Sequence, residues 1–277
     1  RNPKLSAAVY ASQKTPRSPS DIVLEVSSGM ALGDLPGGAP TACWVFTNAE
    51  SVRLYRGNDY IAAFSPDRHG RFAAMPHPPI EINDFVGSLL EKYEGMDPPS
   101  AQAAAAILND MRRCAMELSP LSKARMLSLR LSWNEVARMY CKYIGILGSP
   151  SPVYRFEAVW HGRVVGTVVR EPVQSVRLEC TVHNPILTDG PTWDCAAVSL
   201  RAIDQNGNLL PYCGEAVQLR VDGPLKIIGP SVVPLRGGMA GTYLATTGEA
   251  GRAVLHCRME GALDTDAVLT IRSRENG

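Results

Sequence analysis

The stretch TWDCAAVSLRAIDQNGNLLPYCGEAVQLRV, from Thr192 to Val221, decides the fold. Apolar and polar residues alternate on both sides of its centre, which is the period of a half-buried strand. In the centre, Asp204–Asn208 (DQNGN) supplies Asn and Gly, which tolerate the positive φ angles of a tight reversal. Pro211–Gly214 then lets the chain cross before the second strand begins, and such units are typical of antiparallel sandwiches. The inward positions are Ala196, Val198, Leu200 and Ala202 in the first strand and Val217, Leu219 and Val221 in the second.

The strand patterns elsewhere predict two β-sandwiches. The cleanest alternation, over Val176–Val182, opens one of them. The short strands near the start of the chain are too few to close a sandwich. The hairpin around His161 supplies the missing strands, so the two segments together form the other sandwich. We therefore predict a mainly β chain with two immunoglobulin-like β-sandwiches, the first carrying an α-helical insertion. The predicted boundaries are 1–20 for a leading helix and linker, 21–78 plus 150–172 for the first sandwich, 79–149 for the insertion and 173–277 for the second sandwich.

Between Pro79 and Ser149 the apolar residues recur three and four positions apart, which predicts four helices. Ser119-Pro120 supplies a cap and a first-turn proline for the third helix. Ser132-Trp133-Asn134-Glu135 is a capping box that opens the fourth. The residues predicted to share one face are Ile82, Phe85, Val86, Leu89, Leu90 and Tyr93 in the first helix, Ala104, Ile107, Leu108, Met111, Ala115 and Leu118 in the second, and Val136, Met139, Tyr140 and Tyr143 in the fourth.

The charge balance argues against a polyanionic partner. A formal net charge of +1 with 20% charged residues gives no long-range attraction to nucleic acid or to an anionic membrane. Eight acidic and eight basic residues between Glu81 and Ser149 leave the insertion without a phosphate-binding surface. No apolar run approaches the roughly 20 residues of a membrane span. We expect neither nucleic acid nor membrane as a partner.

The cysteines indicate free thiols. They number seven and lack CxxC or CxC spacing, which predicts reduced, mostly buried thiols rather than a disulfide framework or a zinc site. The chain opens with Arg1 and no leader pattern, so we expect a piece cut or processed from a longer protein. The sequence does not fix the compartment, although the cytoplasm is favoured. The cysteines are Cys43, Cys114, Cys141, Cys180, Cys195, Cys213 and Cys257.

One dipeptide, Asn134-Glu135, resembles a glycosidase acid/base pair, because an Asn beside a catalytic Glu commonly holds a sugar hydroxyl. Glu135 occupies the third position of a helix cap, where its side chain bonds back to the backbone, so capping is the favoured interpretation. The nucleophile elbow GxSxG does not occur in the sequence. We therefore assign no catalytic residue.

The remaining candidates are interpreted as structural. The histidines show no HxH or HxxxH spacing, so we predict neither a metal site nor a cofactor. Three glycine pairs lack the Lys-Ser/Thr and helix of a phosphate loop and are expected to be turns. Trp44 and Trp160 are expected in the core, whereas Trp193 is left open between the core and stacking on a sugar ring. The histidines are His69, His77, His161, His183 and His256, and the pairs are Gly223-Pro224, Gly229-Pro230 and Gly237-Gly238.

Four segments, taken in order, resemble the C-terminal region of glycoside hydrolase family 2 enzymes, the β-galactosidase and β-glucuronidase group. RNPKLSAAVYASQ (1–13) is similar to the last helix of that family's catalytic barrel. LEVSSGMALGD (24–34) with CWVFTNAESVRLYRGNDYI (43–61), and VYRFEAVWHGRVVGTVVRE (153–171), resemble the immunoglobulin-like domain after the barrel. VRLECTVHNPILTDGPTWDCAAVSLRAIDQNGNLLP (176–211) resembles a further module. The resemblance covers nearly the whole chain except the helical insertion.

The resemblance implies a supporting role. The family cleaves β-linked sugars with retention, using two barrel glutamates roughly 5 Å apart, and neither glutamate motif has a counterpart here. The chain is therefore expected to be inactive alone, with the catalytic barrel of the same polypeptide as its partner and self-association as a further role. The alternative is a free-standing carbohydrate-binding or adhesion module of immunoglobulin-like type, because the last module's pattern also occurs in bacterial adhesin repeats. In either case the insertion could dock another protein.

Overall fold

The computed structural model describes residues 4–27, 43–114, 117–145 and 152–273. The chain divides into two compact units, one ending at Pro172 and the other beginning at Val173. Each unit has its own hydrophobic core. Strands take 40% of the chain and helices 21%, so the predicted fold class is confirmed: mainly β, two immunoglobulin-like sandwiches, and a helical insertion in the first.

The first unit contains two antiparallel sheets within its described residues. Its elements outside the helical region are α1 Leu5–Ala11, a 3-10 turn Pro19–Asp21, β1 Leu24–Val26, β2 Trp44–Thr47, β3 Ser51–Arg56, β4 Asp59–Phe64, β5 Ile80–Glu81, β6 Tyr154–Trp160 and β7 Arg163–Arg170. One sheet has the order β1-β2-β5 and the other the order β4-β3-β6-β7. Alternate residues point inward, as Val52 and Leu54 do in β3 and Tyr154 and Phe156 do in β6.

Four helices lie between β5 and β6. They are α2 Leu89–Glu94, α3 Pro98–Arg113, α4 Pro120–Ser128 and α5 Trp133–Tyr143. The predicted caps of the last two are confirmed, since Ser119 accepts the N–H of Ser122 and Ser132 accepts that of Glu135. The four residues predicted to share one face of α5 are all buried: Val136, Met139, Tyr140 and Tyr143. None of the described helices is long and apolar enough to cross a membrane.

The start of the first predicted helix is wrong. Residues 82–88 are not helical, and α2 begins only at Leu89. The reason is a local turn: the Asp84 carboxylate accepts the N–H groups of Val86 (2.9 Å) and Gly87 (3.1 Å), which competes with helical hydrogen bonds. Of the predicted second face, Ala115 lies outside the described residues and Leu118 lies beyond the end of α3.

The helices and the first sandwich share one core. Phe85, in the turn before α2, packs edge-to-face on Tyr154 of β6, with ring centroids 5.6 Å apart, and both residues are buried. At the surface, Asp59 at the start of β4 accepts hydrogen bonds from Lys92 and Tyr93 of α2. The helices and the sandwich of the first unit therefore bury one continuous hydrophobic core.

The second unit is a sandwich of two five-stranded sheets. Its strands are β8 Val176–Val182, β9 Ile186–Asp189, β10 Cys195–Ile203, β11 Ala216–Asp222, β12 Leu225–Ile228, β13 Val232–Pro234, β14 Met239–Thr246, β15 Gly251–Met259, β16 Ala262–Leu263 and β17 Thr265–Ser273. The sheet orders are β12-β14-β10-β8-β16 and β13-β11-β15-β17-β9. Most neighbours are antiparallel, but β16 on β8 and β17 on β9 are parallel.

The two strands of the Thr192–Val221 stretch lie in different sheets. β10 pairs with β8 and β14, whereas β11 pairs with β13 and β15. Asp204 builds the reversal after β10 by accepting the N–H groups of Asn206 (2.9 Å) and Asn208 (2.8 Å), with Gly207 at φ 81°. The chain then crosses to the opposite sheet, as predicted. Leu200 of β10 and Leu219 of β11 therefore come from opposite sheets and lie in the same core.

Candidate functional site

Glu135 of the Asn134-Glu135 dipeptide is engaged in the capping box of α5. One carboxylate oxygen of Glu135 accepts both the N–H and the hydroxyl of Ser132, each at 2.7 Å. These hydrogen bonds lower the pKa of Glu135, the opposite of the shift that a catalytic acid needs. The capping interpretation is therefore correct.

The five histidines occupy separate places. His161 contacts Glu50 (Nδ1 to Oε1, 3.2 Å), and His183 contacts the Ser199 hydroxyl at 2.7 Å. His256 lies between Asp222 (3.1 Å) and Asp266 (2.8 Å), while His69 and His77 lie in the loop after β4. Across the described ranges, no group of three His, Cys, Asp or Glu residues could hold a metal ion.

The prediction for Trp44 and Trp160 is wrong, because both are only half-buried. In β2 the inward residues are Val45 and Thr47, so Trp44 lies on the outer face, where it meets Phe72 edge-to-face at 5.7 Å. In β6 the register with β7 shifts between Ala158 and Val159, which buries Val159 and turns Trp160 outward. A bulge of this kind cannot be read from alternation alone.

The prediction of mostly buried thiols is also wrong. Only Cys43 and Cys257 are buried, while Cys180 and Cys213 are half-buried. The three exposed cysteines are Cys114, Cys141 and Cys195. All seven are free thiols.

The glycine pairs lie in turns between strands, as predicted. Gly223 follows β11 at φ 101°, Gly229 follows β12 at φ 118°, and Gly237 and Gly238 lie between β13 and β14 at φ 62° and 73°. A Cβ at Gly223 would lie 2.6 Å from the carbonyl oxygen of Arg252, so only glycine fits there.

A cavity of about 870 Å³ lies beside the helical region of the first unit. One wall is the turn after β5, where Asn109 of α3 holds the backbone by accepting the N–H of Phe85 (3.1 Å) and donating to Asp84 (2.7 Å). The other wall is formed where α3 meets α4. There Asp110 of α3 accepts the Ser119 N–H (3.2 Å) and the Ser122 hydroxyl (2.6 Å). We call this cavity the insertion groove.

The carboxylates of the insertion groove have structural roles. Asp84 and Asp110 use their oxygens on neighbouring N–H and hydroxyl groups. Burial acts to raise the pKa of Asp110, but the hydrogen bonds from Ser119 and Ser122 outweigh it and leave that pKa lowered. Glu91 lines the groove opposite two cations, Arg113 and Arg125, and no aromatic ring is among the described lining residues. The described lining residues therefore make the groove polar and of mixed charge.

The sequence analysis missed this groove. Its one available signal was Asn109-Asp110, two polar residues set among the buried positions Ile107, Leu108 and Met111 of α3. Polar residues in a buried helical face indicate that their side chains meet specific hydrogen-bond partners. The partners themselves lie 9 to 25 positions away in the sequence, which the helical pattern does not identify.

The described residues form an immunoglobulin-like, two-sandwich chain and bring together no metal ligand set. No protein-family model matches the chain. It is 27% identical over 264 residues to a β-galactosidase from Rhizobium meliloti, a match that covers 94% of this chain and 27% of that protein. The resemblance to the C-terminal region of β-galactosidases is thereby confirmed.

Solved structures show the same fold. A β-glycosidase from Bacteroides vulgatus matches 97% of this chain with a TM-score of 0.56 at 12% identity, over 26% of that chain. A β-glucuronidase from glycoside hydrolase family 2 matches 98% with a TM-score of 0.53 at 12% identity, over 22% of that chain. In each comparison the present chain spans about a quarter of the relative's length.

Proposed function

We propose that this chain is a non-catalytic C-terminal region of a glycoside hydrolase family 2 enzyme of β-galactosidase type, which braces the catalytic barrel of the same polypeptide. The observation that carries the proposal is the coverage: 94% of this chain corresponds to 27% of a β-galactosidase. The structural roles of Glu135, Asp84 and Asp110 support it, because each carboxylate is engaged in a cap or a turn.

The exposed face of α1 is the surface that we assign to the barrel. No residue of α1 is buried, and Leu5 and Tyr10 are 44% and 80% exposed. The end of the helix is nevertheless fixed to the first unit, since Gln13 exchanges two 3.0 Å hydrogen bonds with the backbone of His77. An apolar helix that is anchored at one end and has most of its residues exposed suits packing against a further domain.

The first experiment measures hydrolysis of aryl β-galactosides and aryl β-glucuronides. The isolated chain is expected to show no turnover, and a version extended upstream to include a barrel is expected to be active. Turnover by the isolated chain would refute the proposal.

A second experiment tests the α1 surface. In the extended protein, Tyr10→Glu is expected to lower the Tm, because burying such a side chain contributes about 1.5–3 kcal/mol. In the isolated chain the same change should leave the Tm unaltered, since Tyr10 is 80% exposed. Tyr212→Glu, at an equally exposed tyrosine (68%) of the second unit, is the matched control. Equal effects of both variants in the extended protein would exclude α1 as the contact.

A second candidate is carbohydrate binding by the second unit. Trp193, Tyr212 and Tyr243 are 60%, 68% and 55% exposed, and exposed aromatic faces suit the apolar side of a sugar ring. Calorimetry of the isolated chain against galactosides and plant polysaccharides tests it, with Trp193→Ala expected to abolish binding. Unchanged affinity in that variant would exclude Trp193 as the sugar platform.

Self-association and docking through the insertion are further proposals. Leu121 and Leu127 of α4 are 60% and 79% exposed, which gives this helix an uncovered apolar surface. Sedimentation velocity of the chain and of a Leu127→Glu variant measures the effect. A dimer that Leu127→Glu dissociates would support this surface, and a monomer at all concentrations would count against it.

A further inference from the structure

Two thiols of the second unit meet across its sandwich. Cys180 belongs to β8 in one sheet and Cys257 to β15 in the other, and their sulfur atoms lie 3.7 Å apart. Cys257 is fully buried, whereas Cys180 is half-buried. The two residues lie 77 positions apart in the sequence.

The sheets approach each other at this edge for a structural reason. Packed sheets are normally about 10 Å apart, which is farther than the roughly 4.4–6.8 Å between the Cα atoms of most disulfides. Here the chain leaves β15, forms β16 beside β8 of the opposite sheet, and returns as β17. Thr265 of β17, which pairs with Cys257, donates its hydroxyl to the carbonyl of Leu178 in β8 at 2.7 Å. This bridge lies two residues from Cys180 and holds the two thiols together.

We propose that Cys180 and Cys257 form a disulfide between the two sheets when the protein meets a small-molecule disulfide such as oxidised glutathione. The sulfur atoms must approach from 3.7 Å to the roughly 2.04 Å of an S–S bond. Rotation of the two side chains can supply this movement, because the backbones are already held close by the Thr265 bridge.

The reaction is a pair of thiol–disulfide exchanges. The Cys180 thiolate attacks one sulfur of oxidised glutathione, which breaks the glutathione S–S bond, forms a mixed disulfide and releases one glutathione thiolate. The Cys257 thiolate then attacks the Cys180 sulfur and displaces the second glutathione. The protein loses two electrons, which reduce the reagent, and the two thiol protons end on the two released glutathiones.

The surroundings assign the roles of the two thiols. Cys257 donates its S–H to the Cys180 sulfur, which favours the Cys180 thiolate and lowers its pKa. The same hydrogen bond, together with burial, raises the pKa of Cys257. Cys180 is therefore the attacking group and Cys257 the resolving one.

The test uses the full chain, treated with oxidised glutathione, alkylated and digested with trypsin. The expected product joins Leu178–Arg201 to Ala253–Arg258, the tryptic peptides that contain Cys180 and Cys257. Because Leu178–Arg201 also contains the exposed Cys195, the Cys195→Ser variant is the matched control. The cross-link should persist in Cys195→Ser, disappear in Cys180→Ser, and be reversed by dithiothreitol.

The bond should also raise the Tm of the second unit by about 10 °C, since it closes a loop of 77 positions. Three results would overturn the proposal: no cross-linked peptide, a cross-link that is lost in Cys195→Ser, or a stable glutathione adduct on Cys180 that never closes onto Cys257. Circular dichroism of Cys180→Ser verifies that this variant folds, and the Cys195→Ser mapping decides the question even if it does not.

Discussion

Gly87 is expected to be irreplaceable, and Gly57 provides the comparison that shows why. Both glycines have positive φ angles, 50° and 59°. A Cβ built on Gly87 would lie 2.4 Å from the carbonyl oxygen of Ile61 in β4, whereas a Cβ on Gly57 would meet no atom within 4 Å. Both alanine variants therefore carry the free-energy cost of a left-handed backbone. Only Gly87→Ala also places a Cβ against the backbone of β4.

The expected losses follow from these two terms. A left-handed alanine costs about 1–2 kcal/mol, which is the whole expected effect of Gly57→Ala. Gly87→Ala adds an overpacking cost of about 1–3 kcal/mol, because the turn must move away from β4. We expect a total loss of about 2–5 kcal/mol for Gly87→Ala, together with loosening of the insertion groove, whose wall this turn forms.

The assay is urea unfolding followed by tryptophan fluorescence in a Trp193→Phe background. Trp44, Trp133 and Trp160 lie in the first unit and Trp193 in the second, so this background reports on the first unit alone. A chain of two units need not unfold in one step, which makes such a selective signal necessary. Equal destabilisation by Gly87→Ala and Gly57→Ala would refute the reasoning.

Three further predictions concern single hydrogen-bonding groups. Glu94 accepts from Arg138 (2.8 Å), Lys142 (2.8 Å) and Tyr143 (2.7 Å), and these hydrogen bonds lower its pKa to about 2 from 4.5. Because the folded pKa is depressed, the stabilisation is complete above pH 4.5 and is lost as the pH falls towards 2. Glu94→Gln should therefore cost about 1–2 kcal/mol at pH 7 in urea unfolding, with a loss that shrinks over that window; a pH-independent loss would contradict it. Asn109→Ala leaves the Phe85 N–H without its acceptor and should lower the free energy of unfolding by about 2–3 kcal/mol. Hydrogen exchange at the Phe85 amide should become faster, and unchanged protection of that amide would contradict this prediction. Thr265→Val removes the 2.7 Å hydrogen bond to the Leu178 carbonyl and should lower the free energy of unfolding by about 1 kcal/mol. It should also slow the formation of the Cys180–Cys257 disulfide at a given glutathione ratio. An unchanged rate would show that the bridge does not position the thiols.

Local sequence signals predicted the elements well where the physics is local. Ser132 and Glu135 satisfy each other's backbone groups within one turn, so the start of α5 follows from four residues. Where distant residues intervene, the same reasoning failed. The 82–93 pattern is helical in period, but Asp84 turns the chain locally at Val86 and Gly87, and Asn109, 24 positions from Phe85, holds that turn in place.

The candidate site was less predictable than the fold. Alternation placed Trp160 in the core, and a register shift in its pairing with β7 turned it outward. The groove depends on hydrogen bonds between α3, α4 and the turn after β5, and each of these elements appears unremarkable on its own. The capping role of Glu135 did follow from the sequence, because its partner Ser132 is three residues away.

By itself, the sequence determined the mainly β class, the positions of most strands and helix caps, and the resemblance to the C-terminal region of β-galactosidases, because these depend on short-range periodicity, turn chemistry and segment order. Only the tertiary structure decided which sheet receives each strand, where the insertion groove forms, and that Cys180 meets Cys257. Those features depend on hydrogen bonds and contacts between residues far apart in the chain. The hydrophobic period of a strand indicates which of its faces is buried. It does not indicate which residues of other strands or helices pack against that face.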